Sequence, residues 1–271
     1  QLMRDKLYDV EASDKAKIDS SKMISTYMTS IREYTVEFYT IFNKQIAEGI
    51  QTQLDSFPRS ANTVLKTLEE YLGEKPQHTV NYDDTDDDVI FEELYSKKLD
   101  IGEVIGPKRL ANGSYIIMRV MDWTDKPVIG NIAQQERWNK VKEKLHKIKA
   151  HKNWDAYIKK TMSGKKIEFN EEPFYLLSQW AMERHVNEIK NKNIPDSLRK
   201  EVEFDDPEIN NDEPFFTIDN KVWTVGEFKD KLLSHPLVYR TKYLDEKNFT
   251  GHFKYAIIDM IRDHYLTENA Y

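Results

Sequence analysis

Few residues in this chain are equipped for acid–base or metal chemistry. Cysteine is absent, which removes thiolate nucleophiles, thiolate zinc sites and disulfides together. Seven histidines remain. His146 and His151 stand five apart on a segment that reads as helix, so they miss the i,i+4 spacing that lets two imidazoles reach one metal ion. The run Asp83-Asp84-Thr85-Asp86-Asp87-Asp88 crowds carboxylates together. A calcium loop opening at Asp84 would need glycine and glutamate where Val89 and Tyr95 stand, so the run is read as a solvated loop. Ser163-Gly164-Lys165 has Lys159 where a phosphate-binding loop requires its first glycine, and no His-Glu-x-x-His, Gly-x-Ser-x-Gly or dinucleotide fingerprint occurs. Metalloprotease, hydrolase and dehydrogenase readings therefore have no anchor, and neither a metal nor a small-molecule cofactor is expected.

Charge narrows the partners. Forty-seven acidic residues against 40 basic ones leave a formal charge of −7, which disfavours a general nucleic-acid binder because phosphate neutralisation needs positive surface. One local exception is Lys140 to Lys160, where lysines interleave with Trp154 and Tyr157. The simpler reading is a solvated helix face, or a contact to acidic parts of the same chain. Asn112-Gly-Ser114 and Asn248-Phe-Thr250 fit the glycosylation sequon, although the first already has a turn to make. No apolar run approaches the ~18–20 residues needed to cross a bilayer.

Hydrophobic residues form 39% of the chain and aromatics 12%, with only 9 glycines and 9 prolines, a balance that favours a folded protein with long helices. Apolar residues at three- and four-residue steps predict helices over Gln1 to Val10, Ser21 to Phe42, Ile46 to Leu54 and Ala61 to Leu72, the last ending at Gly73. Glu74 to Asp88 reads as loop. A short helix then carries Phe91, Leu94 and Tyr95, and two strands follow, joined at Asn112-Gly113, whose residues tolerate positive φ. A long helix over Ile132 to Met162 precedes a short strand at Lys165 to Phe169. The next helix, Phe174 to Lys190, is expected to bury Leu176, Leu177, Trp180, Ala181 and Ile189, and a polar linker over Asn193 to Glu213 marks a domain boundary. Phe215 to Ile218, the turn Asp219-Asn220 and Val222-Trp223 lead into a helix whose Thr224 and Glu227 have capping-box spacing. A helix over Asn248 to Asn269 closes the chain, and its string Met260 to Leu266 is similar to Leu2 to Tyr8 at the opposite end.

The segment Phe91-Glu-Glu-Leu-Tyr-Ser-Lys-Lys-Leu-Asp-Ile-Gly-Glu-Val-Ile-Gly-Pro107, with Asn112-Gly-Ser-Tyr-Ile-Ile-Met-Arg-Val120 after it, resembles the C-terminal half of a parvulin-type peptidyl-prolyl isomerase domain. Lys166-Ile-Glu-Phe-Asn170 and Asn220-Lys-Val-Trp-Thr-Val-Gly-Glu-Phe228 look like segments of SurA- and PrsA-type chaperones. The resemblance implies an α+β fold, a mainly helical chaperone module with a small degenerate parvulin-like α/β domain inserted. Its expected divisions are 1–54, 55–127, 128–192 and 193–271. The family's first strand carries a histidine, and no such strand is visible here because the residues before Ala61 read as helix. A second histidine belongs on the last strand, where Tyr115 stands, and His78 falls out of order. Rotation about a prolyl bond must cross ~18–20 kcal/mol, so a pocket without that polar set binds a strand without much lowering the barrier. Tyr115 and His78 are the only catalytic candidates, and Tyr95, Tyr115, Ile117, Met118 and Trp123 are the expected peptide-binding set.

The function implied is that of a folding chaperone for unfolded or partly folded, proline-containing polypeptide, with Met23, Met28, Met162 and Met182 as adaptable apolar contacts. Envelope-associated proteins or a second copy are further candidate partners, and nucleic acid is not. Opening on Gln1 without a leader fits a processed or excised chain, which with the resemblance places it in the periplasm or another extracytoplasmic compartment. The alternatives are an active isomerase reorganised around Tyr115, His78 and the Asp83–Asp88 loop, and a structural subunit of an envelope assembly.

Overall fold

Apolar residues recur at helical steps from Met23 to Ile41, yet in the computed structural model helix covers only Ser20–Thr29, and Arg32–Ile41 is a strand. The long helix expected over Ser21 to Phe42 is thereby corrected. Thr29 closes the helix with its hydroxyl on the Tyr95 carbonyl, and Ser30 caps it with its N–H on the Thr26 carbonyl at 2.8 Å. From Tyr34 onward the residues are mostly aromatic or β-branched and suit a pleated surface. Both faces of this strand are buried: Tyr34 and Val36 enter one core while Tyr39 and Ile41 enter another. Strands buried on both sides show no polar alternation, so the spacing alone imitated a helix.

The structure describes residues 2–72, 77–192, 209–240, 244–245 and 247–269. In chain order the elements are α1 (Leu2–Tyr8), α2 (Ser20–Thr29), β1 (Arg32–Ile41), α3 (Lys44–Ser56), α4 (Ala61–Leu72), β2 (Gln77–Val80) and α5 (Asp88–Tyr95). Next come β3 (Val104–Arg109), β4 (Tyr115–Asp125), α6 (Asn131–Thr161), β5 (Ile167–Phe169) and α7 (Glu171–Lys192). Finally there are β6 (Pro214–Ile218), β7 (Lys221–Thr224), α8 (Val225–Ser234) and α9 (Phe249–Glu268). These elements form two compact units, Ala12–Asn153 and Gln1–Glu11 with Trp154–Tyr271. Helix content is 56% and strand content 18%, in small antiparallel sheets, an α+β protein. No helix among the described residues is long and apolar enough to cross a membrane.

In Ala12–Asn153 the sheet runs β2-β1-β4-β3, every neighbour antiparallel. A division after residue 54 would cut β1 out of the middle of this sheet, so the boundary expected there is misplaced. β2 replaces part of the loop expected over Glu74 to Asp88; it is a four-residue edge strand of mostly exposed polar side chains, which leaves no hydrophobic signal. Beside it in the chain, α5 starts where Asp87 accepts from the Val89 and Ile90 N–H groups at 2.8 and 3.1 Å. On β3, Gly106 has φ +100° and a Cβ there would stand 2.4 Å from the Ile116 carbonyl oxygen, so glycine lets β3 close against β4. One sheet face packs on α2, α5 and α6 through Met23, Phe91, Leu94, Val141, Leu145 and Ile148. The other packs on α3 and α4 through Ala47, Val64, Leu65 and Leu68.

The acidic run is not simply solvated. Arg137 and Lys140 of α6 reach Asp83 at 3.0 and 3.2 Å, and Lys144 and His151 reach Asp88 at 3.4 and 2.8 Å. Lys144 also donates to the Thr85 carbonyl at 3.2 Å. These lysines of α6 therefore face carboxylates of their own chain.

In the other unit β5, β6 and β7 form an antiparallel sheet in that order. Asp219 and Asn220 take φ of 51° and 62° between β6 and β7, the positive values a two-residue hairpin turn requires. The Thr224–Glu227 capping box opens α8 with both hydrogen bonds made. Phe215, Phe216, Phe228 and Trp223 pack with Phe253, Ile257 and Ile261 of α9. Leu177 and Ala181 of α7 join them, whereas Leu176 is exposed against expectation. The side chain of Ile189, residues 193–208 of the expected linker and Gly73 lie outside the described residues.

Candidate functional site

The pleat of β4 sends Tyr115, Ile117 and Arg119 to the α3/α4 face and Ile116, Met118 and Val120 to the other. In register, Ile41 stands opposite Tyr115, Tyr39 opposite Ile117 and Glu37 opposite Arg119. His78 stands opposite Val36, and its ring lies 5.4 Å from Phe38, which belongs to the α2/α5/α6 core. Tyr115 and His78 thus lie on opposite faces of the sheet and do not form one site.

The expected peptide-binding set is likewise dispersed. Tyr95 and Met118 are fully buried in one core and Ile117 in the other. Tyr95 spends its hydroxyl on the Arg32 and Val80 carbonyls at 3.3 and 3.2 Å. Trp123 is half-buried beneath the Arg32 guanidinium, 3.7 Å from the ring centroid, and Arg32 also pairs with Asp125 at 3.2 Å. Of the five, Tyr115 and Trp123 alone keep partial exposure. The methionines divide too: Met23 is core, Met162 and Met182 are partly buried, and Met28 is exposed.

A polar group absent from the expected set crosses the α3/α4 face. Glu37, 3% exposed, accepts on one carboxylate oxygen from Arg119 Nε at 2.9 Å, Arg119 Nη2 at 2.6 Å and the Tyr39 hydroxyl at 3.1 Å. Arg119 Nη1 extends to Asn62 Oδ1 at 3.4 Å. Burial, helped by the Glu37 carboxylate, pushes the Tyr39 phenol up to about 12. The phenol stays neutral near pH 7 and acts as a donor. This arrangement ties β1 to β4 through side chains on the α3/α4 face. Its signal, an acid within an apolar run and an arginine on the hairpin strand, becomes meaningful once β1 is known to be β4's neighbour.

Beside this row, the end of β1 with α3 and α4 lines a groove of about 470 Å³. Asn43 sets the start of α3 by accepting from the Gln45 and Ile46 N–H groups at 2.8 and 3.2 Å. Ile41, Val64 and Leu68 lie in the buried part of the groove and Ile46 and Ile50 along it, while Phe42 and Tyr71 are 83% and 81% exposed at its rim. None of the described lining residues is charged. No group of three or more metal-binding side chains occurs among the described residues. No family model, curated protein or solved structure matches the chain.

Proposed function

We propose that this chain is an extracytoplasmic folding chaperone that binds unfolded, proline-containing polypeptide on a parvulin-like unit without isomerising it. The uncharged α3/α4 groove carries the reading, since large exposed aromatics around an apolar cleft favour burial of an apolar client segment. Two further features support it. β1 lies at the centre of the sheet beside β4, a place that a first strand of the parvulin-like pattern could take. Neither β1 nor β4 contains a histidine, and His78 cannot supply one to Tyr115 across the sheet. Clients are exchanged by burial and release of apolar side chains, with no cofactor.

Light scattering of a denatured client diluted into buffer tests this. The wild-type chain is expected to suppress aggregation near equimolar ratio, and Phe42→Asp with Ile46→Asp to lose most of that effect while its thermal unfolding stays unchanged, both positions being exposed. Lack of suppression by the wild type overturns the chaperone assignment. Acceleration of tetrapeptide prolyl isomerisation, abolished by Tyr115→Phe, would overturn the non-catalytic part and favour the isomerase alternative.

A further inference from the structure

Several cations of α6 are spent on carboxylates of their own chain, and one recess departs from that pattern. It has a volume of about 200 Å³ and is lined by residues 17–22, by Glu92 of α5 and by the middle of α6. Its apolar lining is Ile18, Leu145 and Ile148, which belong to the α2/α5/α6 core or pack against it. Its charged lining is Lys17, Lys22, Lys149 and Lys152 against Asp19 and Glu92. Lys22 and Lys152 share Glu92, one on each carboxylate oxygen, the first at 2.6 Å. Asp19 is engaged as the cap of α2, accepting from the Ser21 hydroxyl and from the Lys22 N–H at 3.2 Å. Lys17 and Lys149 are exposed, and their ammonium groups have no partner among the described residues. The recess therefore gathers two more positive than negative charges in a chain whose net charge is −7. Ammonium groups brought together repel one another, and an anion seated among them relieves that repulsion.

The lining also narrows the kind of anion. The volume lies below the roughly 300–1,000 Å³ of sites for drug-sized ligands, which suits a small polyatomic ion or group. Arginine is absent from the described lining, so the planar fork that pairs with a carboxylate through two parallel hydrogen bonds is missing. Separate lysines act as point charges and suit a tetrahedral anion that presents oxygens on several sides. Two unmatched positive charges are neutralised by one dianion. We infer that the recess binds a phosphate dianion, held by Lys17 and Lys149 with Lys22 and Lys152 beside them. A free phosphate ion and a phosphomonoester share this chemistry, and the monoester's organic group has Ile18, Leu145 and Ile148 to cover. The site is separate from the uncharged α3/α4 groove and does not depend on the chaperone reading.

Amide chemical shifts of the full chain test this while chloride is replaced at constant ionic strength by inorganic phosphate, phenyl phosphate or acetate, at a pH about one unit or more above the second phosphate pKa of ~6. At least one phosphate is expected to give saturable shifts around Ile18 and Lys149 with a Kd of about 1 mM. Tighter binding of phenyl phosphate identifies a monoester as the source, and equal or weaker binding identifies the free ion. Acetate, with one charge, should bind at least about fivefold more weakly. Lys17→Met and Lys149→Met, at exposed positions, should each weaken the phosphate about threefold and together about tenfold, as loss of exposed charge contacts does. Lys142→Met, on α6 but outside the described lining, should leave its affinity unchanged. Saturation by neither phosphate, acetate binding as tightly as phosphate, a double variant with unaltered affinity, or a loss in Lys142→Met equal to that in Lys149→Met would each overturn the site.

Discussion

Glu37 takes three donor contacts on one carboxylate oxygen at the junction of β1 and β4, with almost no access to water. Removing one partner of such a pair leaves a buried charge uncompensated and costs about 3–5 kcal/mol, while replacing both with apolar groups is often near neutral. Arg119 keeps some exposure, which moderates the loss, so Glu37→Ala is expected to destabilise Ala12–Asn153 by about 3 kcal/mol. Glu37→Leu with Arg119→Leu should regain most of it. Urea unfolding of the two variants measures this, and a double variant as unstable as the single would mean that the pair adds net stability instead of fixing strand register. At this scale the sequence was a partial guide. Chemical type could be read at Tyr115 and His78, but the face of the sheet each would occupy could not, because facing depends on a pairing register made across distant segments. Tyr39 and Glu37 were hidden for the same reason: inside an assumed helix they had no partner across a strand.

The elements show which signals survive without tertiary context. The Asn112-Gly113 hairpin, the Thr224 capping box and α6 were legible because caps, turns and sustained periodicity are local. β1 was not, being buried on both faces, and β2 was too short and polar to leave a pattern. The charge on α6 was legible as a surplus of lysine, but its destination was not. Glu92 on α5 makes that destination measurable. Burial pushes its carboxyl up, but hydrogen bonds and charge from Lys152 and Lys22 outweigh this and hold it below its ordinary value of 4.5. A carboxyl with a depressed folded-state pKa binds fewer protons than the unfolded chain does, so its contribution is complete above pH ~4.5 and disappears as pH falls through the folded value. Lys22→Met with Lys152→Met is therefore expected to move the acid-unfolding midpoint of Ala12–Asn153 upward by some tenths of a pH unit, with a loss of stability that is already complete at pH 7 and stays below about 1 kcal/mol because both lysines are partly exposed. Tryptophan fluorescence against pH reads the midpoint; coincident curves for wild type and variant would show that these contacts do not link α5 to α2 and α6.

For the molecule as a whole, the expected division 55–127 differs from the compact unit Ala12–Asn153, which holds the sheet, α2 and most of α6. Once β1 is misread as helix, the sheet loses a central strand and the insert shrinks to what remains. The corrected edges have a physical consequence, because the insert leaves and returns at neighbouring points. Asn153 Nδ2 donates to the Ala12 carbonyl at 3.1 Å within the insert. On the other unit's side of the junction the Tyr8 and Trp154 rings meet edge to face at 5.4 Å. Ends this close are typical of domains that tolerate insertion or excision. Residues 12–153 expressed alone should therefore unfold in one cooperative thermal transition, having two cores and a complete sheet. The remainder, with residues 11 and 154 joined by a flexible linker of about six residues, should also fold, held by the cluster of Phe215, Phe228, Phe253 and Ile261. Calorimetry of each piece gives the answer. A broad, non-cooperative transition in 12–153 would mean that its stability is borrowed from the rest of the chain. If both pieces fold, client binding by the α3/α4 groove can be assayed on residues 12–153 alone.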